Sequence, residues 1–228
     1  MSLRAAQIRW LFFDLGNTLV DEAAAWQVRM RQLAGCFAKY GRRCPVEDIR
    51  CALEAASAEF LPRPITAAIA KLIENPELRR AIEAEARHPK ELEKPYDDAA
   101  QILRSLSAQY RIGVIANQSL GTEERLTKWG LMPFVEACLA SAELSLEKPD
   151  PAIFRFALSR AGCSPAEAVM IGDRLDNDIR PARLRGWKTV RILQGFARFQ
   201  SPRDRFDEAD ATVAELQELL PIFLPPIA

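Results

Sequence analysis

From about residue 97 onward, short apolar runs alternate with helical patterns, and this alternation constrains the fold more than any other feature. The runs are Arg111–Ala116, Val135–Ala140, Ala168–Gly172 and Thr189–Leu193. Each has strand length and is nearly continuous in apolar character, as strands buried on both faces should be. Between them, helical periods cover 98–110, 122–129, 151–161 and 176–185. Gly130, Gly162 and Gly186 stand where left-handed caps would end three of these. Ser164-Pro165-Ala166-Glu167 reads as a capping box with proline at the first helical position. Strand-helix alternation with short connections requires right-handed crossovers and a mostly parallel sheet. The fold class is therefore α/β.

Residues 23 to about 90 have another texture. Ala-, Arg-, Glu- and Leu-rich periods predict helices over 23–40, 45–60, 64–74 and 76–87, and no strand is visible. Pro45, Pro64 and Pro76 mark helix starts. The expected organisation is a core formed by 1–20 with 94–228, interrupted by an all-helical insertion at 21–93.

Lys+Arg (31) equals Asp+Glu (31) among the 228 residues, so a nucleic-acid or membrane-surface partner, which would call for a basic excess, is not expected. No apolar run approaches the roughly 20 residues of a membrane span. The stretch Ile8–Phe13 is too short for a secretory signal, and a cytoplasmic protein is expected. The five cysteines are odd in number with no Cys-x-x-Cys pair, which fits free thiols in a reducing compartment. His88 is the only histidine. It precedes Pro89 in a charged loop, where a surface or hinge role is expected over catalysis.

Three segments carry chemistry. The first, Trp10-Leu11-Phe12-Phe13-Asp14-Leu15-Gly16-Asn17-Thr18, is an apolar strand that ends in a carboxylate. A buried ionised Asp is costly, so Asp14 should face a cleft or a cation; a loop-capping role is the alternative. The second, Val169-Met170-Ile171-Gly172-Asp173-Arg174-Leu175-Asp176-Asn177-Asp178, clusters oxygen donors of the type that suits Mg²⁺. Asp176 also reads as a simple helix-start acid, whereas Asp173 ends the strand itself. The third, Lys148-Pro149-Asp150-Pro151, holds a lysine in extended conformation ahead of a helix. Beside two strand-end aspartates, Lys148 becomes a counter-charge for a phosphoryl group.

In order and spacing these segments resemble the haloacid dehalogenase superfamily, over nearly the whole chain. The resemblance implies a Rossmann-like parallel sheet of order 5-4-1-2-3, counting the Trp10–Asp14 strand first, and a helical cap of the C1 type at 21–93. It implies a Mg²⁺-dependent phosphatase acting on a small phosphorylated metabolite. Asp14 would be nucleophile and metal ligand, Gly16 would offer its backbone carbonyl, and Asp173 and Asp178 would complete the metal set. Lys148 would pair with the phosphate.

Two positions depart from the family pattern. Gly16 stands where the second Asp usually protonates the leaving oxygen, work worth about 10²–10⁴-fold. Ala116 stands where a Ser or Thr usually binds phosphate, leaving the backbone amides of Asn117 and Gln118, or the hydroxyl of Ser119, as its replacements. Two other readings stay open: a catalytically weak relative that acts as a binding or regulatory module, and a metal-free 2-haloacid dehalogenase in which Asp14 attacks carbon. Retention of Asp173 and Asp178 speaks against the last. Trp26, Arg29 and Arg63 are candidates to line the cleft, with a place in the helical core or on its surface as the alternative.

Overall fold

The computed structural model describes Leu3 and residues 7–224. The ends of the core range, residues 1, 2, 4–6 and 225–228, lie outside the described residues. The chain divides into two compact units. One comprises Met1–Asp21, Lys94–Gln194 and Pro202–Ala228, and the other Glu22–Glu93 with Gly195–Ser201.

The first unit opens with β1 (Trp10–Phe13) and the two-residue β2 (Val20–Asp21). After the helical insertion it resumes with β3 (Lys94–Pro95), which pairs antiparallel with β2. Strands β4 (Arg111–Ala116), β5 (Ala137–Ala140), β6 (Ala168–Gly172), β7 (Lys188–Ile192) and β8 (Ala211–Val213) follow. The main sheet runs β5-β4-β1-β6-β7-β8 and every pairing in it is parallel. The five predicted strands stand in the predicted order, and β8 extends the edge beyond β7. The fold is α/β and Rossmann-like.

Successive residues of β1 enter different cores. Leu11 and Phe13 join one cluster with Val114, Val169 and Ile171, while Trp10 and Phe12 join another with Ile115, Phe154, Met170 and Trp187. This is the period-two alternation of a strand covered on both faces. Gly113 permits the close approach of β1, because a Cβ there would lie 2.4 Å from the Phe12 ring.

The second unit holds α1 (Ala23–Lys39), α2 (Val46–Ala58), α3 (Pro64–Leu72) and α4 (Pro76–Glu85). Pro64 and Pro76 take first-turn positions, and Asn75 Oδ1 caps α4 by accepting from the amides of Glu77 and Leu78. Met30, Leu33, Phe37, Ile49, Leu53 and Ile69 fill its core. Gly195–Ser201, expected with the core range, groups instead with these helices. Gln200 Nε2 donates to the Ser57 carbonyl there, and the Phe196 ring meets Trp26 edge-on at 5.2 Å.

Helices of the first unit include α5 (Ala99–Ser107), α6 (Thr122–Lys128), α7 (Ser141–Leu144), α8 (Pro151–Ala161), α9 (Arg180–Arg183) and α10 (Leu219–Phe223). Gly162 ends α8 with a φ of 60°, as its position suggests. The helical period expected over 176–185 is shorter and irregular: Leu175–Ile179 forms a widened π turn ahead of α9. The capping box at Ser164–Glu167 is present, on a single 3₁₀ turn. All five cysteines are free. Among the described residues, no helix is long and apolar enough to cross a membrane.

Candidate active site

Strands β1 and β6 are neighbours, so the residues that follow them, Asp14 and Asp173, emerge side by side at their carboxyl ends. The Asp14 amide donates to the Ile171 carbonyl (2.9 Å) and locks that register. Asp173 is buried. The π turn then carries Asp178 back toward the end of β6, where its Oδ2 accepts from the Arg174 amide (3.0 Å). Carboxylate oxygens of Asp14, Asp173 and Asp178 all lie within 4.8 Å of one another.

Lys148 reaches this cluster from the loop ahead of α8. Its Nζ donates to Asp14 Oδ1 at 2.6 Å and to Asp178 Oδ1 at 2.5 Å. Its side chain is 2% exposed and that of Asp178 only 1%. Burial by itself lowers the ammonium's pKa, but Asp14 and Asp178 together outweigh it and leave Lys148 above the ordinary lysine value. Burial likewise pushes the Asp178 carboxyl up, to about 6, with Asp14 adding to the rise and Lys148 opposing it. An ammonium that is fixed between two carboxylates is a preorganised positive charge, costly to build and effective toward an anion.

Asn117 directly follows β4 and holds the lysine's backbone. Its Nδ2 donates to the Lys148 carbonyl (2.7 Å), and its Oδ1 accepts from the Lys148 amide (2.8 Å). Its side chain thus serves Lys148, a pairing that does not use the backbone amide to which the sequence reading gives the phosphate role. The Gln118 amide donates to Ser141 Oγ (3.1 Å), and Ser119 Oγ faces Arg125 Nη1 at 3.5 Å. Asn117 therefore reaches the cluster through Lys148, while these two bonds run to Ser141 and Arg125.

The loop after Asp14 is tight. The amides of Thr18, Leu19 and Val20 all donate to the Leu15 carbonyl (3.1, 2.9 and 2.9 Å), and Gly16 bridges to Val20. The left-handed residue in this loop is Asn17 (φ 53°), one position beyond Gly16.

Gly172 makes room for Asp178. A Cβ at 172 would lie 2.5 Å from Asp178 Cγ and Oδ2, closer than real contacts allow. Gly172→Ala is therefore expected to displace that carboxylate while the sheet persists and, if the cluster takes a divalent cation, to weaken its binding by about 10–100-fold. Titration calorimetry beside far-UV dichroism checks this. Asp176 belongs to a different pairing, because Arg174 grips it through Nε (3.1 Å) and Nη2 (2.6 Å). Arg191 on β7 has no motif around it that marks it in the sequence. It stands opposite Gly172 and is buried; burial lowers its guanidinium's pKa, and Asp173 and Asp207 offset part of that.

In the helical unit, Trp26 packs against the core and donates Nε1 to Glu22 Oε2 (3.1 Å). The Arg29 guanidinium lies over the Trp26 ring at 5.4 Å. Burial lowers its pKa, with Glu83 opposing. Arg63 adopts left-handed backbone (φ 51°) at the start of α3.

Three carboxylates and a buried ammonium at the ends of adjacent parallel strands lie within residues 11–192, the span that matches the haloacid dehalogenase-like hydrolases. The chain belongs to that family. Among curated relatives, glyceraldehyde 3-phosphate phosphatase of Methanopyrus kandleri is 37% identical over 131 residues, which is 57% of this chain and 56% of that protein. The chain thus spans little more than half the length of the first curated relatives it matches. Human N-acylneuraminate-9-phosphatase is 25% identical over 203 residues, covering 81% of this chain and 82% of that one. The family fold is also that of the putative HAD-hydrolase YfnB from Bacillus subtilis, a structure bound to magnesium. There the TM-score is 0.68 at 21% identity, over 95% of this chain and 99% of that chain.

Proposed function

We propose that the chain is a Mg²⁺-dependent phosphatase that hydrolyses a small phosphorylated metabolite through an aspartyl-phosphate on Asp14. The observation that carries this reading is Lys148, buried and bonded to both Asp14 and Asp178. The curated relatives, which are phosphatases of small metabolites by name, support the substrate class.

The donor set fits Mg²⁺, which favours carboxylate and carbonyl oxygen over nitrogen or sulfur. Asp14, Asp173 and the Gly16 carbonyl would hold it, with Asp178 completing the acidic shell. When bound, the ion neutralises charge on the phosphoryl oxygens and orients the group for attack.

The residues then divide the work. Asp14 supplies the carboxylate oxygen that forms a bond to phosphorus as the bond to the leaving oxygen breaks. Lys148 offsets the repulsion between this carboxylate and an anionic substrate. Water next attacks phosphorus, releases inorganic phosphate and restores Asp14. Gly16 brings no acid, so the departing oxygen leaves as an anion or takes its proton from water.

The metal assignment separates two neighbouring aspartates. Asp173→Ala is expected to raise the Mg²⁺ concentration needed for half-maximal activity by about tenfold or more. Asp176→Ala should change it little, since Asp176 is held by Arg174. Equal small effects at both positions would remove the metal from this loop.

The missing acid has its own consequence. The rate should depend steeply on leaving-group pKa, favouring anomeric, acyl or aryl phosphates over alkyl ones. Gly16→Asp is expected to flatten that dependence and speed alkyl substrates by up to about 10²-fold. Because Asn17 takes the left-handed conformation, a side chain at 16 does not have to. A panel of phosphorylated metabolites assayed with and without Mg²⁺ tests the proposal as a whole. Turnover of a haloacid without metal would point to the dehalogenase instead. Binding of Mg²⁺ and of a phosphate mimic with no turnover on any substrate would point to the binding module.

A further inference from the structure

A second cluster of potential ligands lies wholly within the helical unit. Oxygens of Glu22 and Glu93 and a ring nitrogen of His88 all fall within 4.8 Å of one another. Glu93 is buried, its side chain 3% exposed, and His88 Nε2 lies 3.1 Å from its Oε1. The other ring nitrogen, Nδ1, is buried and has no hydrogen-bond partner among the described residues. Glu22 accepts from Trp26 Nε1 through one oxygen. The Trp26 ring closes the side of the cluster, 5.1 Å from the imidazole and 5.2 Å from Phe196.

Two carboxylates at such a distance repel, more so when one is buried, and each is stabilised by a shared cation. A proton on His88 would supply one positive charge, and a dication would supply two. We propose that Glu22, His88 and Glu93 form a second metal site, one that takes a borderline transition-metal dication such as Zn²⁺ rather than Mg²⁺. The imidazole sets that preference, because nitrogen suits Zn²⁺ while Mg²⁺ favours an all-oxygen set. Ligands 2.0–2.1 Å from a tetrahedral Zn²⁺ stand about 3.3 Å apart; His88 Nε2 and Glu93 Oε1 are 3.1 Å apart, and the Glu22 oxygen lies within 4.8 Å of its two partners. Three protein ligands leave the fourth position to water.

The site's place in the chain gives it a consequence. Glu22 directly follows β2, Glu93 directly precedes β3, and these two strands pair with each other. A metal here ties together the two points at which the chain enters and leaves the helical insertion.

The single histidine makes the test clean. Tag-free protein labelled with ¹⁵N only at histidine has one imidazole, which long-range ¹H–¹⁵N correlation spectra observe directly. With Mg²⁺ in excess, one equivalent of Zn²⁺ should shift one ring nitrogen strongly and fix the tautomer of the other. The Glu22→Gln/Glu93→Gln protein should need about tenfold more Zn²⁺ or beyond for the same shift. Where that variant does not fold by far-UV dichroism, Glu22→Gln alone serves, since Glu22 is partly exposed. Imidazole nitrogens that stay unmoved at one equivalent, even if Zn²⁺ binds at thiols or at the aspartates, overturn the proposal. So does an equal shift at equal Zn²⁺ in the carboxamide variants.

Discussion

Asp14→Asn protein is expected to fold normally and to lose at least about 10⁴-fold in kcat on an aryl phosphate, the scale on which removal of a nucleophile acts. The substitution keeps the volume of the side chain and removes its charge and nucleophilicity. Lys148 retains Asp178 as a partner at 2.5 Å, so no buried charge is stranded. The thermal midpoint should therefore change little while turnover disappears. Wild-type turnover in the purified variant would exclude Asp14 as the nucleophile.

Lys148→Met should damage both activity and stability. The ammonium is buried between two carboxylates, and removing it leaves Asp178, 1% exposed, facing Asp14 with no charge between them. Breaking a buried ion pair by deleting one partner costs about 3–5 kcal/mol. Urea unfolding in the absence of metal should show a loss of that size. Losing a preorganised charge beside the reacting phosphoryl group should lower kcat/KM by about 10²–10³-fold. Lys148→Arg is expected to rescue neither, because a planar guanidinium does not fit the space of a compact ammonium with 2% exposure. A stability unchanged in Lys148→Met would mean that the ion pairs contribute nothing net to folding.

The sheet was legible because its strands are buried on both faces, and a continuous apolar run of strand length such as Val169–Ile171 marks that environment. The short strands were not. Ala211-Thr212-Val213 is too brief to form a run, and β2 and β3 consist of two residues each. They form through pairing with partners far along the chain, which no local pattern reports. Asp14 and Asp173 stand out in the sequence because each directly follows a buried strand, whereas Lys148 shows only as a lysine before a proline that leads into a helix, and Asp178 only as one of the acids clustered after β6.

The role of Asn117 escapes the sequence for the opposite reason. Its hydrogen bonds reach a backbone 31 residues away and leave no local trace. Gly172 and Asp178 did carry a signal in retrospect, since a glycine at a strand's end six residues ahead of an aspartate marks a carboxylate folded back onto the backbone. His88 and Glu93 stand five apart, close enough to pair on sight, but the Trp26 ring that packs 5.1 Å from the imidazole comes from far back along the chain. Membership of Gly195–Ser201 in the helical unit follows from tertiary packing alone.

The covalent step is the most direct point of test. A ³²P-labelled acyl or aryl phosphate is mixed with wild-type protein and Mg²⁺, quenched in acid within the first turnover, and the protein is digested and mapped. The expected result is hydroxylamine-labile label on the peptide that contains Asp14, and none in Asp14→Asn protein. Full phosphate release with no label on that peptide at any quench time would show that water attacks the substrate directly, and would contradict the aspartyl-phosphate mechanism.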